Sequence, residues 1–137
     1  MNKLIRFGVS MEKQLLAKFD EFIAKKGYTN RSEAIRDLIR KNIVEEEWLK
    51  GELVAGSITL VYNHHQKELL DKIIDIQHNF YDVIISTQHI HMDHNNCLEI
   101  IAVKGLVEKI KSLYNSISIL KGVGYSSLSK ATTGKKF

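Results

Sequence analysis

Only one cysteine, Cys97, stands among the 137 residues, and proline is absent altogether. One thiol cannot close an internal disulfide, which excludes a cross-linked secreted scaffold and favours a reducing, cytoplasmic setting in which the thiol stays free for chemistry. Long hydrophobic runs are also missing. The longest are strand-like pieces such as Ile58 to Tyr62 and Val83 to Ile85, far below the ~20 residues of a membrane helix, so neither a membrane span nor a signal peptide is expected. No internal repeat organises the chain.

Hydrophobic residues at 44% and charged residues at 26% supply a core and a soluble surface, and exclude a disordered chain. The length allows one mid-sized domain or two small ones. The net charge of +4 is unevenly spread: residues 1–44 hold ten Lys or Arg against five Asp or Glu, a balance of +5, which leaves −1 for the remainder. The basic end is N-terminal, where contact with phosphate is expected.

Leu4 to Ser10 alternates, with Ile5, Phe7 and Val9 on one side and Arg6, Gly8 and Ser10 on the other, the period of a half-buried strand. Ser10 is expected to cap a helix whose apolar positions are Leu15, Leu16, Phe19, Phe22 and Ile23, with Gly27 ending it. Asn30 then caps a second helix. Glu33 stands at its third position, Ala34, Ile35, Leu38, Ile39 and Ile43 form its apolar stripe, and its end is expected at Trp48 or Leu49. A lone strand cannot satisfy its backbone or bury its apolar side, so this strand-helix-helix unit predicts an obligate dimer that pairs two strands.

After Gly51 the pattern predicts strand Leu53–Tyr62, helix Gln66–Gln77, strand Phe80–His91, strand Cys97–Val103, helix Gly105–Ile117 and strand Gly122–Leu128. That β-α-β-β-α-β order belongs to small ferredoxin-like domains, and the fold class is α+β. The expected division is residues 1–50 and 51–137, with a frayed tail over Ser129–Phe137.

His89 and His91 are two apart on a predicted strand, so both imidazoles leave the same side and can take neighbouring positions on one ion. Met92 to Asn96 reads as a polar turn, after which Cys97 opens the return strand and brings sulfur near His91. Two imidazoles and a thiolate suit zinc, copper, nickel or iron. His64, His65 and His94 lack a second ligand at a telling spacing and are expected to be ordinary surface residues.

The N-terminal strand, the segment Gly27-Tyr28-Thr29-Asn30-Arg31-Ser32-Glu33-Ala34-Ile35-Arg36-Asp37 and the His/Cys cluster together resemble the NikR family of nickel regulators over nearly the whole chain. The resemblance implies a ribbon-helix-helix DNA-binding domain followed by an ACT-like nickel-binding and tetramerisation domain. It also implies a homotetramer built as a dimer of dimers, a double-stranded operator as partner, and one nickel(II) per subunit. His78 is the implied fourth ligand, in the pattern H-x10-H-x-H-x5-C that His78, His89, His91 and Cys97 reproduce. A planar site with a fourth nitrogen suits nickel(II) or copper(II), whereas zinc prefers a tetrahedron. If Phe80 to His91 is all strand, the steps from His78 to His89 span about 36 Å at ~3.3 Å per residue, so His78 is expected to serve another chain's site.

A paired ribbon fits the major groove and turns Arg6, Gly8 and Ser10 toward base edges; Arg6 can give a bidentate pair to guanine. Gly8 departs from the family, which usually carries a hydroxyl-bearing residue there. The helix start at Asn30, with Arg31 and Ser32 beside its free N–H groups, is the expected phosphate anchor. The rival readings are a zinc enzyme and an ACT-domain regulator that senses a small molecule. Against an enzyme, Asp93 lies in a turn, and Glu99, two residues from Cys97, suits support of a ligand better than general-base work.

Overall fold

A computed structural model describes residues 3–137 and divides the chain into two compact units, Met1–Arg40 and Lys41–Phe137. In the first unit, residues 3–12 form no strand, because a single chain holds no partner for their backbone groups. Helix α1 spans Lys13–Lys25 and starts later than expected, with Glu12 rather than Ser10 at its N-cap and no side-chain capping bond. Gly27 ends it as foreseen: at φ +85° its own N–H donates to Ala24 O at 3.1 Å, while Tyr28 N–H donates to Ile23 O at 3.0 Å. Those two bonds satisfy the last carbonyls of the helix and require a left-handed residue, the conformation glycine adopts without cost to a Cβ.

Helix α2 spans Arg31–Leu49. Asn30 Oδ1 accepts from Glu33 N–H at 2.8 Å, one of the orphan donors of the first turn.

The second unit contains β1 (Leu53–Asn63), α3 (Lys67–Asn79), β2 (Ile84–His91), β3 (Asn96–Leu106), α4 (Val107–Ser118) and β4 (Val123–Lys130). The strands form one antiparallel sheet in the order β2-β3-β1-β4, the arrangement of a ferredoxin-like α+β domain. Alternate residues of β1 and β3, among them Val54, Ile58, Leu60 and Tyr62 with Cys97, Ile101 and Val103, face the core. Helices α3 and α4 cover that face with Leu69 and Ile73 and with Val107, Ile110, Leu113 and Ile117. The other face carries Val61, Leu98, Ile100 and Ala102 half-buried and Leu53, Leu106 and Tyr125 exposed.

Here β3 runs on to Leu106 rather than Val103, so α4 starts at Val107 rather than Gly105, and the start of β2 and the tail differ more. Strand β2 begins at Ile84, because residues 80–83 make a turn closed by Val83 N–H donating to Phe80 O at 3.0 Å. The tail is docked, not frayed. Ala131 N–H donates to Ala55 O at 2.9 Å, and Trp48 Nε1–H donates to Ala131 O at 2.9 Å. Thr132 Oγ1 donates to Glu47 Oε1 at 3.1 Å. Trp48 is buried with its ring over Gly56, where a Cβ would meet Trp48 Cζ2 at 3.3 Å and Ser129 O at 2.7 Å. Among the described residues no helix is long and apolar enough to cross a membrane.

Candidate functional site

Three neighbouring strands bring their ends together at one corner of the sheet. The register sets Tyr62 of β1 and His91 of β2 on either side of Cys97 of β3, and His89 opposite Glu99. Alternation then puts Cys97, Glu99, His89, His91 and Tyr62 on the helix-covered face, and His64, two residues past Tyr62, joins them. The turn that returns β2 to β3 is held by Asp93, whose Oδ1 accepts from the N–H groups of Asn95 at 2.9 Å and Asn96 at 2.8 Å. The Asn96 side-chain amide, donating to both carboxylate oxygens at 3.2 and 3.1 Å, and then those two N–H groups hold the Asp93 carboxyl below the usual carboxylate range.

The Cys97 side chain is fully buried at 0% exposure. Around its sulfur lie His64 Nδ1 at 3.1 Å, His89 Nε2 at 3.2 Å and His91 Nδ1 at 3.5 Å. The donor atoms of His64, His91 and Cys97 all fall within 4.8 Å of one another. Burial pushes the Cys97 thiol up, and the Glu99 and Asp93 carboxylates add to the effect. Burial pushes the His64 imidazole down, helped by His65, His91, His94 and His89, so it stays neutral and able to ligate.

The far side of His89 is also held. Its Nδ1 lies 3.3 Å from Tyr62 Oη and 3.5 Å from Glu99 Oε1. Glu99 is itself buried and accepts from Gln77 Nε2 at 3.0 Å through Oε2. Burial and Glu99 push the Tyr62 phenol up, so it remains protonated. A proton kept on Nδ1 leaves the Nε2 lone pair facing sulfur, the second-layer arrangement that orients a metal-binding histidine.

This donor set fits a transition metal. Ligands at ~2.0–2.1 Å for nitrogen and ~2.3 Å for sulfur put the two atoms about 3.1 Å apart across a right angle and about 3.6 Å apart across a tetrahedral one. The separations of 3.1, 3.2 and 3.5 Å span that range. One thiolate and imidazoles are the borderline-soft donors that nickel, copper and zinc take.

His89, His91 and Cys97 thus converge from one hairpin. His78 is not beside them; it is exposed in the last turn of α3. The estimate of about 36 Å between His78 and His89, built on ~3.3 Å per extended residue, loses its premise because the chain turns at 80–83. Gln77, the residue before His78, reaches Glu99 at 3.0 Å and accepts from Thr87 Oγ1 at 3.1 Å. His64, expected at the surface, lies beside the Cys97 sulfur instead. Its signal lay in the alternation Tyr62-x-His64, whose meaning depends on β1 lying beside β3.

Arg6, Gly8 and Ser10 are exposed in the segment before α1, and a Cβ on Gly8 would meet nothing within 4 Å, so packing within one chain does not demand glycine there. Arg31 makes a two-pronged pair with Asp20, at 2.8 Å to each carboxylate oxygen, and that pairing holds the Asp20 carboxyl below its usual range. Ser32 is exposed beside it.

Residues 55–131 match the family described as the NikR C-terminal nickel binding domain, and residues 5–46 match ribbon-helix-helix proteins of the copG family. A relative from Syntrophus aciditrophicus is 56% identical over 135 residues, 98% of each chain. One from Dictyoglomus thermophilum is 56% identical over 130 residues, 94% of this chain and 96% of its own. One from Pyrococcus furiosus is 51% identical over 133 residues, 96% of each. All three carry the description "Putative nickel-responsive regulator". A solved structure of an uncharacterized protein from Thermotoga maritima shares the fold alone, with a TM-score of 0.53 and 18% identity over 58% of this chain and 98% of that one. With both halves matched and a relative sharing more than half its residues end to end, the chain belongs to the NikR family of nickel-responsive transcription regulators and is not an enzyme.

Proposed function

We propose that this chain is a cytoplasmic repressor whose affinity for double-stranded operator DNA rises when nickel(II) is bound, one ion per subunit, by His89, His91, Cys97 and His78 of the partner subunit. The observation that carries this reading is the buried Cys97 sulfur ringed by imidazole nitrogens at 3.1 to 3.5 Å. His89 enters the ligand set already oriented by Glu99 and Tyr62, and Cys97 releases its thiol proton as the ion binds. When bound, nickel supplies a cross-link between subunits and so favours one disposition of the DNA-binding dimers.

The first unit supports a dimer. Ile5 is 84% exposed, Phe7 72% and Leu15 54%, an apolar set that a second copy would cover. The open face of the sheet, with Leu98, Ile100 and Tyr125, offers a second apolar surface for a dimer of dimers. Residues 1–50 serve DNA and residues 51–137 serve metal and tetramerisation; the matched segments 5–46 and 55–131 fall inside those bounds. In the paired ribbon Arg6 and Ser10 read base edges, Gly8 reads none, and Asn30, Arg31 and Ser32 meet phosphate at the start of α2.

The test is linkage. Anisotropy titrations with DNA from upstream of the chain's own gene should show nickel tightening operator binding, and operator tightening nickel binding, by the same factor. Equal nickel affinity with and without operator would overturn the reading.

A further inference from the structure

We infer that His64 is a metal-selecting ligand: it clusters with His91 and Cys97 inside one protomer and, with His89 drawn in from the other flank of the sulfur, completes a four-donor set suited to zinc(II) that competes with the set completed by a second chain. The inference rests on the reading that Cys97, His89 and His91 bind metal, and adds to it a residue outside the nickel set.

The geometry is specific. His64 Nδ1 is the nitrogen nearest to Cys97 Sγ, at 3.1 Å, and it belongs with His91 and Cys97 to a group whose donor atoms all lie within 4.8 Å of one another. Its place is fixed by the chain, because His64 N–H donates to Asn95 O at 3.1 Å and so extends the β1–β3 pairing past Asn63. His65, the next residue, turns its Nε2 to the His94 carbonyl at 2.9 Å. The two adjacent histidines therefore have different tasks.

The donors approach Cys97 from opposite sides. His64 follows β1 on one flank of β3, and His89 and His91 come from β2 on the other. Of the three nitrogens, His91 Nδ1 at 3.5 Å from sulfur already stands near the tetrahedral spacing, and with His64 supplying a nitrogen from the opposite flank zinc can draw its preferred tetrahedron from one chain. Affinity alone does not separate nickel from zinc, so geometry has to. An own-chain set also needs no second subunit to bring in its fourth donor. Zinc held this way engages no His78 of the partner subunit and leaves the subunits uncoupled.

The experiment compares zinc and nickel binding by chelator competition in the full chain and in its His64→Ala, His65→Ala, His78→Ala and Cys97→Ser variants, with X-ray absorption to count nitrogen and sulfur neighbours. His64→Ala should weaken zinc by about tenfold or more, at least the cost of losing a residue that merely supports a ligand, while nickel keeps three nitrogens and one sulfur. His78→Ala should do the reverse, leaving zinc affinity and its three-nitrogen, one-sulfur shell intact. That zinc shell in His78→Ala is independent of whether His64→Ala folds well.

Loss of a zinc-bound nitrogen in His78→Ala, or unchanged zinc affinity in His64→Ala, overturns the inference. So does an equal loss of zinc in His65→Ala, which would trace the effect to crowded imidazoles. Retention of both metals by Cys97→Ser would instead overturn the underlying reading of the metal centre.

Discussion

Burial of the Cys97 side chain raises the proton affinity of its thiol, so below that raised value each metal ion that binds has to displace a proton. The sign follows: apparent nickel affinity should climb with pH through the neutral range, by about tenfold per unit for one proton displaced. Cys97→Ser should lose both that slope and the thiolate-to-metal absorption while the fold persists, because a hydroxyl is a poor ligand. A pH-independent affinity in the native chain would mean that no thiol is displaced. Arg31 presents a second case, since the guanidinium proposed to meet phosphate is already spent on Asp20 at 2.8 Å. Asp20→Asn should therefore tighten binding to operator and random DNA alike and steepen the salt dependence by roughly one phosphate contact. Arg6→Ala should instead reduce discrimination between the two by about 1–3 kcal/mol. Swapped outcomes would exchange the assignments of reader and anchor.

At the scale of elements, the C-terminal end of α2 is tied to the tail that follows β4 through a few polar contacts that the tail's composition conceals. Glu47 is 3% exposed and Trp48 2%, and their partners are Thr132 and Ala131. Ending the chain after Lys130 should strand a buried indole N–H and a buried carboxylate, at about 1–3 kcal/mol for each group left unsatisfied. Ending it after Gly134 removes the surface pair of Lys136 with Glu52, worth about 0–1 kcal/mol, and the exposed Phe137, but none of the buried partners. Urea midpoints should fall clearly in the first truncation and barely in the second; equal midpoints would mean that the docked tail adds nothing to stability. Gly56→Ala probes the same place from the sheet side. Its Cβ would meet Ser129 O at 2.7 Å, so a loss of about 1–3 kcal/mol is expected from overpacking.

At the scale of the whole molecule, assembly decides how the proposed nickel set is completed. His78 is exposed in α3 while the other three ligands converge at one corner of the sheet. His78→Ala and His89→Ala should each lack one ligand at every nickel site when pure. In refolded mixed tetramers, a site that pairs His78 of a His89→Ala chain with the intact hairpin of a His78→Ala chain has all four ligands, so part of the planar nickel absorption should return. No recovery in tetramers shown to be mixed would mean that His78 serves its own chain or is no ligand. The chain length between His78 and His89 does not by itself require this arrangement, since the chain turns at 80–83 and Gln77 touches Glu99. The exposure of His78 and its place in the family's pattern support it.

Periodicity and punctuation in the sequence sufficed for what is local. The apolar spacing of α1 and α2, the break at Gly27, the cap at Asn30 and the β-α-β-β-α-β order depend on neighbours a few residues apart, as does the convergence of His89, His91 and Cys97 across one short turn. What depended on pairing across many residues did not show. His64 becomes a neighbour of Cys97 only because β1 lies beside β3, a contact 33 residues apart in the chain. The tail looks polar and loose until Trp48 offers it an N–H, 83 residues away. Phe80 to Val83 carries enough apolar residues to read as the start of β2, while its backbone closes a turn. Local patterns follow from the geometry of a single helix or strand, whereas the roles of His64 and the tail follow from strand order and register, which the burial of one shared core selects.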